Sequence, residues 1–336
     1  MSTRWADQVA LVTQAAQAVL ALCLTACASH VSSPGAFSFA LIGDTQYDER
    51  EEALFDHMLN AINASDVKFV VHVGDFKAGS FAPCSDALFQ KRLTEFNRSR
   101  HAFIYIPGDN EWVDCRRPTN GATDPLERLQ RLRDIFYADR KSLGVRPIAL
   151  LNQSDVFARD AVLSRYRENM LWTEGGIVFA TVNVQGSNDN VGFDAASDRE
   201  QVERTRANIA WLQFAAAEAT KDERIALGFF LQANPGFESS PAKVAKSAFR
   251  DFLIAFESTA RALGKPILFM HGDDHEYRVD RPYRSPLDRR AIDNVTRVQS
   301  YGSPFVNWIC VTVDPLNPAN PFAIRSGGFA QPHASE

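Results

Sequence analysis

At 336 residues, with 45% hydrophobic and 23% charged side chains, the chain can bury a sizeable core and has the balance of a globular protein, which excludes a disordered or fibrous one. A formal net charge of -5 and the lack of a strongly basic run argue against a nucleic-acid surface.

In chain order, the first feature is the apolar stretch "AVLALCLTAC", too short for a permanent bilayer helix. Leu24, Thr25 and Ala26 before Cys27 resemble a bacterial lipoprotein signal. The expectation is export to the cell envelope or periplasm, with residues 1–27 as signal and a lipid on Cys27 anchoring the chain to a membrane. Residues 28–36 read as a small-residue tether, and 37–330 as one folded domain.

Residues 37–43, "FSFALIG", read as a strand, followed by helical spacing of Leu54, Phe55, Met58, Leu59 and Ile62. Further strands are expected at 67–73, 101–107, 175–184, 224–232, 265–271, 305–313 and 321–326. A helix is expected over 198–219, with Val202, Ile209, Leu212 and Ala216 on one face. Loop-rich stretches fall at 112–124 and 145–172. Strands alternating with helices, then a strand-rich tail, predict an α/β fold of two packed mixed sheets, each with an outer helical layer: α-β-β-α. An oxidising compartment permits a Cys84–Cys115 disulfide between two polar loops and leaves Cys310, in an apolar run, as a buried free thiol.

The polar residues concentrate where predicted strands end. Those turns read "GDTQYD", "GDFKAGS", "PGDNEW", "LQAN" and "GDDHEY". Ligands in open α/β sheets bind outside the carboxyl ends of the strands. Four of the five turns place Asp directly after Gly, whose freedom permits a tight turn that aims a short acid inward. Carboxylates gathered on one rim repel one another, and a divalent cation resolves that conflict. Two cations about 3.5–4 Å apart would polarise a phosphoryl group and activate water.

The order of these turns resembles the calcineurin-like metallophosphoesterases over residues 37–315. That resemblance implies a metallo-dependent phosphatase-like sandwich and a dinuclear site. It implies that Asp44 binds the first metal, that Gln46 stands where a His usually assists, and that Asp75 bridges both metals. Asp109 replaces the Asn that binds the second metal. Asn110 takes the place of the His that protonates the leaving group, and Glu111 that of the acid orienting it. Gln232 stands in for a His ligand, Asp273 replaces the first His of the final motif, and His275 keeps the second. With nitrogen donors largely gone, the site favours magnesium, manganese or calcium over iron or zinc. Asn110 cannot donate a proton as an acid, which leaves His271, Glu111 or metal-bound water for that step.

Lys77, two residues after Asp75, is a candidate to meet phosphate as a point charge, the alternative being a solvated loop lysine. Arg116 and Arg117 are weaker candidates for the same task. Arg278 either supports Asp273 or pairs with Asp280. His271 and His72 read as packed histidines, and Trp112 as either pocket floor or loop cover. The expected activity is hydrolysis of a phosphorylated small molecule, as a phosphomonoester or phosphodiester, through a metal-activated water. The alternative is a non-catalytic envelope protein that binds a metal or a phosphorylated ligand on the same fold. A nuclease is the weakest reading, for want of a basic groove.

Overall fold

A computed structural model describes residues 33–328. The signal, the lipidation site at Cys27 and most of the tether lie outside the described residues. No helix among those described is long and apolar enough to cross a membrane.

The chain opens with β1 (Phe37–Ile42), α1 (Glu49–Ala64), β2 (Val67–His72), α2 (Asp86–Phe96), β3 (Ala102–Tyr105) and α3 (Pro125–Phe136). Each helix has a polar cap where its free N–H groups need one: Asp48, Ser85 and Asp124 accept from backbone amides of α1, α2 and α3. After β4 (Leu151–Asn152) come the hairpin β5 (Met170–Glu174) and β6 (Ile177–Thr181), then α4 (Ala195–Ala219), β7 (Ala226–Phe230), α5 (Arg250–Leu263) and β8 (Ile267–His271). The tail holds β9 (Arg278–Asp280), β10 (Tyr283–Arg284), β11 (Ala291–Ile292), β12 (Val295–Gln299), β13 (Ile309–Val313) and β14 (Phe322–Ser326).

Two large mixed sheets form, in the orders β14-β13-β1-β2-β3 and β4-β5-β6-β7-β8-β12-β9. Between them lies an aromatic seam. Phe39 meets Phe179 at 5.4 Å and Phe230 at 6.0 Å, and Phe69 meets Trp172 at 5.3 Å, all edge-on. The first sheet packs its outer face against α1, α2 and α3 through residues such as Phe55, Phe96 and Leu132. The second is covered by α4 and α5 through Trp211, Leu212, Leu253 and Phe256. This is the expected four-layer sandwich.

Several local expectations shift. β5 falls inside the stretch expected to be loop, because its hairpin partner β6 supplies the pairing that a short apolar run does not announce. The strand expected over 305–313 begins only at Ile309. α4 begins at Ala195, capped by Asp194. Its buried face includes the expected Leu212 and Ala216, together with Arg204, Ala207, Asn208, Trp211 and Ala215, while Val202 is exposed. Apolar spacing found only part of this face because polar side chains share it: Arg204 is wholly buried against Asp189 and Glu200. Cys84 and Cys115 are disulfide-bonded. Cys310 is disulfide-bonded too and not a free thiol.

Candidate metal centre

The parallel strands β1, β2 and β3 of one sheet, and β7, β8 and β12 of the other, end on the same rim. The turns that follow are held in an unusual backbone. Asp44, Gln46, Asp75, Asp273 and His275 all have φ between 50° and 82°. Non-glycine residues in this left-handed region cost about 1–3 kcal/mol each, so the surroundings must impose it. They do so through backbone bonds between turns: Asp44 N–H donates to Gly74 O at 3.0 Å and Thr45 N–H to Asp75 O at 3.1 Å.

Asp75, Asp109 and Asp273 come together. Each offers one oxygen, and these oxygens lie within 4.8 Å of one another. Asp109 Oδ2 accepts from Ser187 Oγ at 2.6 Å, while Asp109 Oδ1 is buried with no hydrogen-bond partner. Gly186 borders the cluster so closely that a Cβ there would sit 2.6 Å from Asp109 Oδ1 and 2.8 Å from Asp273 Oδ1. Burial, and then the neighbouring acids, push the Asp75 carboxyl well up and that of Asp273 up to about 8. Burial also raises Asp109. An orphaned carboxylate oxygen beside two others, in a cradle kept open by glycine, fits one oxygen-seeking divalent cation.

The other predicted ligands are placed differently. Asp44 is fully buried and acts as a clamp: Oδ1 accepts from the Asp273 N–H at 2.9 Å and Oδ2 from Ser300 Oγ at 3.0 Å. His275 Nε2 lies 4.0 Å from Asp44 Oδ1 and 3.3 Å from the Tyr47 hydroxyl, with Nδ1 2.8 Å from Ser303 O. Gln46 turns its Nε2 to Glu95 on α2 at 3.2 Å, leaving Oε1 buried and unpartnered. Gln232 Oε1 accepts from the Gly186 N–H at 2.6 Å, which fixes the amide's orientation. Its Nε2 therefore faces the acids, at 3.1 Å from Asp75 Oδ2 and 3.4 Å from Asp273 Oδ1. In this arrangement Gln232 is a donor to the carboxylates.

Asn110 Nδ2 donates to the Tyr47 hydroxyl and to Lys77 O, both at 3.1 Å. Glu111 Oε1 collects three donors, the N–H groups of Asp75 and Gly108 and the Tyr105 hydroxyl, and so ties the ends of β2 and β3 together. Its burial pushes the carboxyl up to about 7. Lys77 is not a solvated lysine. It is 1% exposed, with Nζ 2.7 Å from the carbonyls of both Ala78 and Asn110, and burial brings it down to about 8.

The remaining candidates are structural. His271 stacks on Phe237 and accepts from Arg297 Nε at 2.8 Å. His72 accepts from the Gly74 N–H in the core, and Trp112 is fully buried with Arg204 over its ring. Arg116 covers Phe193, and Arg117 pairs with Asp114 at 2.8 Å. Arg278 pairs with Glu238 and Glu276, so neither expected partner holds it.

Sequence reasoning missed three participants. Tyr47 brings its hydroxyl to Asn110, His275 and, at 3.5 Å, Asp75. Ser187 bridges Asp109 and, at 3.0 Å, Asp114, whose carboxyl is raised to about 6 by burial and then by Asp109. Tyr47 was in view, inside "GDTQYD". Ser187 and Asp114 had weaker signals: "VQGSNDN" is a sixth polar turn after a strand, and Asp114 precedes a cysteine in a loop.

No family model and no curated protein matches the chain. Solved structures do. PhoD superposes with a TM-score of 0.53 at 10% identity, over 89% of this chain and 70% of that one. What the two share is the four-layer sandwich of two mixed sheets flanked by helices. GAP50, the anchor in the inner membrane complex of Plasmodium, superposes with a TM-score of 0.51 at 10% identity, over 87% of this chain and 84% of that one. At such identity the likeness concerns the fold alone.

Proposed function

We propose that the chain is a cation-dependent phosphoesterase working at a single oxygen-rich site. The observation that carries this is the Asp75, Asp109 and Asp273 group together with the bare Asp109 Oδ1. Among the described residues it is the one group of three such ligands. We infer one cation rather than the two that the resemblance implied. Gln232 presents N–H, not oxygen, to the acids.

Asp75, Asp109 and Asp273 would hold the ion. When bound, it supplies the positive charge that polarises a phosphoryl oxygen and lowers the pKa of water. The chain's own groups do the rest. Ser187 fixes Asp109 so that Oδ1 stays turned to the ion. Asp44 fixes the Asp273 turn by its N–H. Tyr47, whose burial and acidic neighbours keep it protonated, holds the proton that Asn110 cannot supply and offers it to the departing oxygen.

The test is metal analysis of the purified chain, joined to hydrolysis of a phosphomonoester and a phosphodiester with manganese, magnesium, calcium and zinc in turn. One bound ion and turnover with a hard cation are expected. No bound ion and no turnover with any of the four overturn the reading.

A second reading has one observation in its favour. No histidine or carboxylic acid stands at Asn110, and both Nδ2 bonds of that amide are spent inside the protein. A binder of a cation or phosphorylated ligand needs no acid there, and GAP50 is described as an anchor on a similar fold. Cation binding without turnover would establish this reading. In either case we place the chain in the cell envelope, lipid-anchored through Cys27, which metabolic labelling of wild type and Cys27→Ala with a fatty acid would check.

A further inference from the structure

Beside the metal centre is a cavity of about 380 Å³ that the site itself does not use. Its inner wall is His275 and Ser303. Its outer wall is three aromatic side chains, Tyr277, Tyr301 and Phe305. Tyr277 and Tyr301 stack at 4.9 Å with their planes 16° apart, and Phe305 is 64% exposed. Exposed aromatic surface of this kind is costly in water and marks binding.

The loop that carries two of these rings is fixed to the metal centre. Ser303 N–H donates to Asp44 O at 2.7 Å, Gly302 N–H to His275 O at 3.2 Å, and Phe305 N–H to Gly302 O at 2.9 Å. Gly302 leaves no slack: a Cβ there would be 2.6 Å from Asp44 Cβ and 2.8 Å from the His275 ring. The rings therefore hold a set position relative to the centre. The wall adjoins the acids: His275 Nε2 lies 4.0 Å from Asp44 Oδ1, and Asp274, which lines the cavity, directly follows Asp273.

Charge narrows what that part is. Among the described residues no lysine or arginine lines the cavity, while Asp274 and Glu276 do. A second phosphate or a carboxylate would meet two acids and neither a lysine nor an arginine. Glu276 is already paired with Arg278 at 2.7 Å, and Asp274 with Asn234, so the acids repel anions without forming an open cation cage. The tyrosines lie flat on each other, which leaves faces for a further flat ring rather than a box for an ammonium group. A neutral planar ring stacks on such a platform whatever its edge, as bases do on aromatic side chains.

We propose that Tyr277, Tyr301 and Phe305 form the subsite for the alcohol portion of the substrate, and that this portion carries a neutral flat ring, a nucleobase or an aryl group. The proposal rests on the phosphoesterase reading.

The test uses the full chain with manganese and compares a nucleoside monophosphate with the ribose phosphate that lacks the base. Both esters break at the same ribose oxygen, so any difference in kcat/KM belongs to the ring. The nucleoside ester is expected to win by on the order of tenfold. Tyr301→Ala and Phe305→Ala should each bring the ratio toward one. A wild-type ratio near one, or a ratio that survives both variants, overturns the proposal, as does preference for phosphocholine over the nucleoside ester. If neither sugar ester is hydrolysed, the esterase reading fails separately, and calorimetry on the manganese-loaded chain decides the subsite. Tighter binding of the nucleoside monophosphate than of the ribose phosphate supports it, and equal binding refutes it.

Discussion

Gln232 Nε2 lies 3.1 Å from Asp75 Oδ2, a donated hydrogen bond that crosses from one sheet to the other. It places a neutral donor where two acids need positive charge. Gln232→Glu removes that donor and adds a carboxylate of the same shape. Manganese should bind on the order of tenfold more tightly by calorimetry, and the cation-free variant should lose about 1–3 kcal/mol by urea unfolding. Unchanged affinity would show that Gln232 does not border the ion.

Gly186→Ala tests the cradle without touching a charge. The added methyl would press on Asp109 Oδ1 and Asp273 Oδ1, oxygens of two of the three proposed ligands. Metal analysis should find the ion lost while the circular dichroism spectrum is kept. Asp109→Asn should also lose the ion, yet melt higher than the cation-free wild type because one mutual repulsion is gone.

The acids also set a pH dependence. Glu111 is raised to about 7 and Asp273 to about 8, so between their unfolded values near pH 4 and these folded ones the native state binds more protons than the unfolded state. Stability of the cation-free chain therefore falls as pH rises from about 4 to about 8, then levels. A bound cation takes the place of the Asp273 proton and lessens the fall. Melting curves at pH 5 and pH 8, with and without manganese, read this directly; a cation-free chain more stable at pH 8 would refute it.

Tyr47→Phe deletes one hydroxyl from a half-buried ring. If that hydroxyl carries the proton for the departing oxygen, kcat should fall about 10²–10⁴-fold with KM little changed. The loss should shrink for esters of acidic phenols, which depart without help. An equal loss for all esters would make Tyr47 a positioning residue for His275.

Much of this was legible from the chain alone. The layers were, because apolar runs alternating with helical spacing leave few ways to bury both. The rim was, because a Gly-Asp pair after a strand is a local signal. The pairing of acids was not. Asp44 lies outside the acid trio, and its two oxygens accept from the Asp273 N–H and Ser300 Oγ, partners more than 200 residues away. Lys77 read as either a phosphate contact or a solvated loop lysine, and only the carbonyls of Ala78 and Asn110 show that its ammonium is held inside. The polar face of α4 was invisible for a related reason: Arg204 packs where apolar periodicity expects leucine.

The two oxygens of Asp44 also bear on the order of assembly. They join β1 to the turn after β8 and to the end of β12, spans of 229 and 256 residues. Contacts this distant in sequence close late. While the chain is being made, its acids emerge one at a time, each in water and each well apart. The electrostatic penalty of gathering them falls due only when the distant strands close, the pairing of Phe37 in β1 with Val313 in β13 among them.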